Sequence, residues 1–382
     1  MKILSFLILF IISSLTYGQE VDTLSFYSKA FKEDRTVYIH KPESYKYKSD
    51  SIKLPVIYIL DGQHEWFVNP ILSDIKYLQY THEIPNAIVV AIPHKNRIKE
   101  CGIVDLKTEL PLDIFITQEL DKELSKYNPG DYKVIIGHSF SASFSLYSYY
   151  NHPGYYSSVI ANTPLDKIEL LVNGFQQNNK LEKGDISISI GGIAGHKDYY
   201  HRKKFNELKE KYPDFFNSIK VFEADYSSHN AVPIVSTPTL ITRLFENFRD
   251  RYSNIAKVND EYKMVNVPES PEKEVEKVIS ASKIETYFYP PEIAEINGIA
   301  SRFSYSEYDD YAIEIYKLGL EYYPRYFAFH LSLYELTNDK DKVESRKYLE
   351  KAKHLLNTVE NDWEGKSDII DEIKAEKTKN GW

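Results

Sequence analysis

Apolar runs alternate with amphipathic segments over the first two thirds of the chain. Short, almost continuously apolar runs occupy residues 55–60, 87–92 and 132–136, and a further run, in which Ile alternates with Ser, lies at 186–190. Strands that are apolar throughout are typical of parallel sheets, because helices cover both faces of such a sheet. Residues 112–127 lie between two of these runs and carry apolar side chains at helical spacing. The alternation therefore predicts an α/β fold with a mostly parallel central sheet.

The pattern changes in the last third of the chain. Residues 253–290 are rich in Glu, Lys and Pro, and we interpret them as a linker with one short helix near 272–280. Residues 291–360 carry helical periodicity, with small residues where two helices would cross, an order that resembles tetratricopeptide repeats. An unrelated helical hairpin is the alternative. We therefore predict a small all-α domain at 291–360, followed by a C-terminal tail at 361–382.

The beginning of the chain has the layout of a secretory signal peptide over residues 1–18. Lys2 precedes an apolar run, residues 3–12, that is short for a membrane span and is followed by small and polar residues up to Gly18. We predict cleavage after Gly18 and an α/β domain over residues 19–252. The mature protein would be periplasmic or secreted, without membrane insertion. An uncleaved membrane anchor is the alternative.

Charge and cysteine content narrow the range of partners. The formal net charge is −9 at pH 7 and the isoelectric point is near 5.7. Nucleic-acid binding favours a basic face, so no nucleic-acid partner is expected. Cys101 is the single cysteine of the sequence, which excludes an intramolecular disulfide.

One short motif carries candidate chemistry. Residues 137–141 read Gly-His-Ser-Phe-Ser and lie between a predicted buried strand and a predicted helix. A serine at such a turn is typical of the nucleophile elbow, where small neighbours allow a strained backbone. We predict Ser139 as the nucleophile; an ordinary helix N-cap is the alternative. Ser141 and Ala142 stand where the elbow prefers glycine, and we expect Ser141→Gly to keep or raise activity by relieving crowding. The alternative is that Ser141 has been recruited, as a hydroxyl donor near the oxyanion or as part of an inactive site.

A serine nucleophile needs a base, and in α/β hydrolases the chain order is serine, acid, histidine. His229 follows the last predicted strand and is the predicted base. His138 is excluded because it is the chain neighbour of Ser139. His196 and His201 are expected to face solvent.

The acid is expected on the loop after the penultimate strand. Asp198 is the first carboxylate of that loop and is the predicted acid; a helix N-cap is its alternative role. Asp225 is closer to His229 in sequence and is the competing candidate. Asp185 precedes the strand and would lie at the opposite end of the sheet.

Acyl transfer also needs donors for the developing oxyanion. We predict the backbone N–H groups of Phe140 and Gln63 for this role. Phe140 follows the nucleophile, and Gln63 lies on the loop after the first central strand. His64 and Trp66 are neighbours on that loop and are candidates for substrate contact.

Several separate motifs occur in the order that is typical of a known family. They are residues 58–67 (Tyr-Ile-Leu-Asp-Gly-Gln-His-Glu-Trp-Phe), 89–92 (Val-Val-Ala-Ile), Asn96–Arg97, 137–139 (Gly-His-Ser), 162–164 (Asn-Thr-Pro) and His229. Over about residues 22–250 the chain resembles the esterase family that includes esterase D-like and enterochelin esterase-like α/β hydrolases. The resemblance implies an α/β-hydrolase fold and ester hydrolysis through an acyl-enzyme, with no metal and no organic cofactor.

The resemblance also bounds the substrate. The family's substrates are siderophore esters, acylated sugars, acyl lipids and S-formylglutathione, and export argues against the last. We therefore expect a small-molecule or carbohydrate ester. The family usually has Gly-Gly where this chain has Ser141 and Ala142. A non-catalytic binding protein that keeps the fold and uses its helical tail for protein partners is the alternative; the tail would otherwise pack against the hydrolase domain.

Overall fold

A computed structural model describes residues 20–177, 185–193, 198–360, 363 and 365–382. The predicted signal peptide and His196 lie outside these residues. The chain forms two compact units. The α/β unit comprises residues 20–42 together with Lys53–Arg249, and the helical unit comprises Glu43–Ile52 and Asp250–Trp382. No helix of the described chain combines the length and the apolar character needed to cross a membrane.

The α/β unit is built on an eight-stranded sheet with the order β1-β2-β4-β3-β5-β6-β7-β8. The strands are β1 (Glu20–Ser28), β2 (Glu33–Lys41), β3 (Leu54–Leu60), β4 (Ile88–Ile92), β5 (Pro129–His138), β6 (Ser158–Asn162), β7 (Asp185–Gly191) and β8 (Lys220–Ala224). Strand β2 pairs antiparallel with β1 and β4, and the other neighbours are parallel. The predicted mostly parallel sheet is confirmed.

Helices flank this sheet, and burial on both faces explains its apolar strands. The helices are α1 (Glu65–Tyr80), α2 (Arg97–Cys101), α3 (residues 111–124), α4 (Phe140–Asn151), α5 (Ile168–Gln177), α6 (Tyr199–Lys211), α7 (Pro213–Asn217) and α8 (Val232–Leu244). Every residue of β3, β4 and β6 is buried. The middle of α3, Phe115–Leu120, is π-helical.

The winding of the chain determines where a site can form. Strand β3 lies between β4 and β5, so successive crossovers run to opposite sides of it. In open sheets of this kind, ligands bind in the crevice at the carboxyl ends of the strands near such a reversal. The loops after β3, β5, β7 and β8 all leave from that edge, because these strands run parallel to one another.

The helical unit contains six α-helices, one short 3-10 helix (Glu43–Lys46) and a short hairpin among its described residues. The α-helices and hairpin strands are α9 (Pro271–Ala281), β9 (Lys283–Ile284), β10 (Tyr287–Phe288), α10 (Ile293–Tyr305), α11 (Asp309–Tyr322), α12 (Phe327–Thr337), α13 (Lys342–Thr358) and α14 (Lys366–Lys379). Helix α10 packs against α11, and α12 against α13. The predicted all-α region is therefore present, and a helix also occupies most of the stretch that we interpreted as a tail.

Two segments belong to the helical unit although the domain limits expected from the sequence placed them outside it. The predicted linker lies inside this unit, with α9 close to the helix expected there. Glu43–Ile52, between two strands of the sheet, also belongs to this unit. Tyr47 donates a hydrogen bond of 2.5 Å to Glu360 and packs edge-on against Tyr326 at 4.9 Å between ring centroids. Such long-range contacts leave no periodic signal in the sequence.

Candidate active site

Ser139 lies at the turn between β5 and α4, in the conformation of a nucleophile elbow. Its φ is 60° and its ψ is −115°. A non-glycine residue held at positive φ costs about 1–3 kcal/mol and persists only where its surroundings enforce it. A Cβ atom on Gly137 would lie 2.4 Å from the backbone oxygen of Ser141, so only glycine allows this close approach of β5 and α4. The strand–serine–helix turn expected from the sequence is present.

Ser141 is fully buried and connects this turn to the loop after β3. Its Oγ donates a hydrogen bond to Asp61 Oδ2 at 2.6 Å and accepts one from the N–H of His138 at 2.8 Å. The Ser141 hydroxyl therefore has a structural role, which crowding of the helix start does not include. Removing the hydroxyl would leave a buried carboxylate and a buried N–H each short of a partner.

Asp61 connects the elbow to the loop after β3. It is 1% exposed, and Arg97 binds it through Nε at 2.6 Å and Nη2 at 3.1 Å. Burial raises the pKa of Asp61, but the hydrogen bonds and charge of Arg97 outweigh burial, so the pKa lies below its usual range. Arg97 also donates to the backbone oxygen of His138. Sequence reasoning did not assign these two residues a role, although Asp61-Gly62 after a buried strand marked the position.

The structure brings the predicted base and acid together. His229 Nδ1 lies 3.1 Å from Asp198 Oδ1. Asp198 is fully buried, and its Oδ2 accepts a hydrogen bond of 2.8 Å from the N–H of Gly191. Burial raises the pKa of Asp198, but the hydrogen bonds from His229 and His201 lower it by a larger amount, so the net shift is downward. The carboxylate is thus ionised at neutral pH, and it makes no side-chain cap on α6.

Two other candidates have different surroundings from those expected. His201, near the start of α6, also donates from Nδ1 to Asp198 Oδ1, and its ring centroid is 4.5 Å from that of His229. The expectation that it simply faces solvent is wrong, because one helical turn returns it to Asp198. Asp225, the competing acid, is instead held by Arg202 Nη1 at 3.0 Å.

His138 places the loop that carries His229 beside the elbow. Its Nε2 donates to the backbone oxygen of His229 at 3.1 Å, and the two ring centroids are 4.7 Å apart. Burial lowers the pKa of His138 to about 4, and the nearby His229 contributes to the shift. His138 is therefore neutral at pH 7, and its hydrogen bond holds the His229 loop next to the elbow.

Within the described residues, Ser139 Oγ has no hydrogen-bond partner, which leaves it available to a substrate and to a base.

The two predicted oxyanion donors lie at the start of α4 and on the loop after β3. Phe140 is the first residue of α4, where backbone N–H groups have no partner inside the helix. Among the described residues, neither its N–H nor that of Gln63 donates a hydrogen bond. The Gln63 side chain anchors its loop by accepting from the N–H of His94 at 2.8 Å. A Cβ on Gly62 would lie 2.8 Å from the backbone of Ile92, so glycine is required there.

Comparison with known proteins supports this interpretation of the α/β unit. Residues 28–185 match the family model described as "Putative esterase", a stretch that contains Ser139 and ends before Asp198 and His229. The uncharacterized protein YjcH of Bacillus subtilis is 27% identical over 179 residues, which are 45% of this chain and 72% of that protein. The family match supports ester hydrolysis as the activity class.

Two solved structures share the fold. An IroE-like serine hydrolase from Shewanella oneidensis aligns with a TM-score of 0.57 and 17% identity, over 78% of this chain and 98% of that chain. An uncharacterised protein from Capnocytophaga ochracea aligns with a TM-score of 0.54 and 15% identity, over 93% of this chain and 100% of that chain. At these identities the likeness concerns the fold alone, which is that of the α/β hydrolases.

Proposed function

We propose that the protein hydrolyses carboxylic esters through an acyl-enzyme on Ser139. The observation that carries the proposal is the arrangement of the elbow and its neighbouring loop. Ser139 is held at a strained, positive φ, and the adjacent loop carries His229, which is hydrogen-bonded to the buried Asp198. His229 Nε2 takes the Ser139 proton as Oγ attacks the ester carbonyl carbon. The N–H groups of Phe140 and Gln63 stabilise the oxyanion of the tetrahedral intermediate.

The remaining steps follow from the same residues. The protonated His229 donates its proton to the departing alkoxide, which leaves as the alcohol. Water then attacks the acyl-enzyme, with His229 as base, and the carboxylic acid and free Ser139 are restored. Asp198 keeps the Nδ1–H of His229 in place, so that Nε2 is the atom that exchanges the proton.

The backbone strain also argues against the alternative of a non-catalytic binding protein. Ser139 is held at positive φ at the junction of β5 and α4, which is the conformation of a nucleophile elbow. A buried, ionised Asp198 beside the His229 imidazole is the arrangement that a serine hydrolase needs for its base. Both features support the enzyme.

For the substrate we propose a siderophore-type, carbohydrate or other acyl ester. The start of α1 supports a planar or sugar-like group, because Trp66 is 49% exposed and its ring lies edge-on to His138 at 6.1 Å between centroids. Aromatic faces of this kind bind apolar and ring-shaped groups.

The decisive test is covalent labelling with a fluorophosphonate. We expect one label per chain, mapped to Ser139 by mass spectrometry, together with hydrolysis of p-nitrophenyl acetate. Ser139→Ala should lose both, while Ser73→Ala, which removes an exposed hydroxyl on α1, should keep both. A folded wild-type protein that neither takes the label nor cleaves the ester would refute the proposal in favour of the binding protein.

We also propose that the protein is exported and cleaved after Gly18, because the chain starts with a charged residue and a short apolar run. The measurement is the intact mass of the protein recovered from periplasmic and extracellular fractions. A mature chain that begins at Gln19 is expected, and a chain that retains residues 1–18 would contradict the cleavage.

For the helical unit we propose a tetratricopeptide-like arrangement. Two successive helix pairs, α10–α11 and α12–α13, support it, as does a small residue at a helix contact. A Cβ on Gly319 would lie 2.8 Å from the ring of Phe329, so the ring packs directly on the backbone of α11.

A further inference from the structure

We propose that Asp198, His201 and His229 form a binding site for a divalent transition-metal ion such as Zn²⁺, and that metal binding switches hydrolysis off. The inhibition rests on the proposed function, because it requires His229 to be the base. The metal is a regulator here and takes no part in the reaction.

The geometry of the three side chains carries the proposal. Asp198 Oδ1 lies 3.1 Å from His229 Nδ1 and also contacts His201 Nδ1. One candidate ligand atom from each residue lies within 4.8 Å of the other two. Tetrahedral Zn²⁺ with bonds of about 2.0–2.2 Å separates its ligand atoms by roughly 3.3–3.5 Å. Small side-chain rotations bring the three atoms to that spacing.

The donor set selects the class of metal. Two imidazole nitrogens and one carboxylate oxygen suit Zn²⁺, and also Ni²⁺ or Cu²⁺, whereas Mg²⁺ and Ca²⁺ prefer oxygen ligands throughout. Two histidines with one carboxylate also leave a fourth tetrahedral position for water. Asp198 is preorganised as a ligand, because it is fully buried and its second oxygen is held by the N–H of Gly191.

His201 is the residue that the catalytic mechanism leaves unexplained. One imidazole on Asp198 is sufficient for a serine hydrolase, yet the carboxylate oxygen here contacts two. The ring of His201 lies 4.5 Å from that of His229, and its side chain is 30% exposed, so a metal ion can reach the pair from solvent.

Metal binding would disable the base directly. A metal ion on Nδ1 of His229 leaves the imidazole proton on Nε2, where it can no longer accept the proton of Ser139. The ion would also replace the hydrogen bond between His229 and Asp198. Hydrolysis would stop while the metal is bound and would recover when a chelator removes it.

The test measures binding and hydrolysis separately on the full chain. The metal-free protein is titrated with chelator-buffered Zn²⁺ and followed by calorimetry, and Co²⁺ absorption reports tetrahedral ligation. We expect one ion per chain and loss of p-nitrophenyl acetate hydrolysis at the same free Zn²⁺ concentration as binding. EDTA should restore the activity.

Variants assign the ligands. His201→Gln should weaken Zn²⁺ binding about tenfold or more and shift inhibition by the same factor. The matched control is His354→Gln, which removes an exposed histidine of α13 and should change neither value. Ser139→Ala should bind Zn²⁺ normally, because it leaves all three ligands in place.

Two results would overturn the proposal. One is the absence of binding at micromolar free Zn²⁺; His201 would then only hold Asp198 in place. The other is unchanged Zn²⁺ affinity in His201→Gln, which would place any bound ion elsewhere. Zn²⁺ binding that depends on His201 in a protein without ester hydrolysis would refute the proposed function and the inhibition, and would support the metal site itself.

Discussion

Removal of the Ser141 hydroxyl tests how the elbow is held to the loop after β3. In Ser141→Ala, Asp61 loses a hydrogen bond of 2.6 Å and the N–H of His138 loses one of 2.8 Å. A hydrogen bond to a charged group contributes about 1.5–3 kcal/mol, and an unsatisfied buried donor costs about 1–3 kcal/mol. Because Arg97 still neutralises Asp61, we expect a loss of about 3 kcal/mol in the free energy of unfolding.

Ser145→Ala is the matched control for this change. Ser145 is also a fully buried serine of α4, but its hydroxyl only donates to the backbone oxygen of Ser141 at 2.9 Å. The loss of that neutral hydrogen bond should cost about 0.5–1.5 kcal/mol. The two variants should therefore differ by about 2 kcal/mol.

Urea unfolding and hydrogen exchange of residues 137–151 measure this difference, the second one locally. If Ser141→Ala is no less stable than Ser145→Ala, the hydrogen-bonding argument is refuted and crowding is the better explanation. Ser141→Gly loses the same hydrogen bonds, and the lower helix propensity of glycine destabilises it by about 1 kcal/mol more than Ser141→Ala. We expect it to reduce turnover by about tenfold, the opposite of the effect expected from the sequence.

The remaining predictions concern the base, the response to acid and the helical unit. His229→Ala should reduce kcat as strongly as Ser139→Ala, and the double variant should be little worse; additive losses would argue against a shared role. Asp198→Asn should reduce kcat by about 10⁴-fold, whereas Asp225→Asn should have little effect; the reverse order would transfer the acid role. Burial raises the pKa of Glu100, but hydrogen bonds from His94 and Arg35 lower it to about 2, against 4.5 for the free side chain. Its folded-state pKa is depressed, so the stability it contributes, about 2–3 kcal/mol, is present above pH ~4.5 and is lost as the pH falls towards 2. Unfolding measured at pH 6 and pH 3 should show a smaller loss in Glu100→Gln, and an equal loss would contradict the assignment. Gly319→Leu should destabilise the helical unit by about 1–3 kcal/mol in thermal unfolding, because its side chain meets Phe329; an unchanged melting temperature would exclude that contact.

The sequence by itself determined the local elements of the site. Apolar runs predicted strands that are buried on both faces, and the structure has them in a mostly parallel sheet. Gly137, together with the change from a strand pattern to a helix pattern around it, predicted the turn at Ser139. The order of the loops predicted that Asp198 rather than Asp225 lies beside His229, because loops after parallel strands leave from one edge of the sheet, and the structure has that contact.

Only the tertiary structure decided which distant residues meet. Ser141 and Asp61 are 80 positions apart, and their hydrogen bond depends on the close approach of β5 and α4 and on the pairing of β3 with β5. The return of His201 to Asp198 depends on where α6 begins, and element boundaries are weakly encoded. Glu43–Ile52 joins the helical unit through contacts such as Tyr47 with Glu360, more than 300 residues away. Periodicity records the faces of single elements, whereas these contacts arise from how the elements pack, so no local pattern could reveal them.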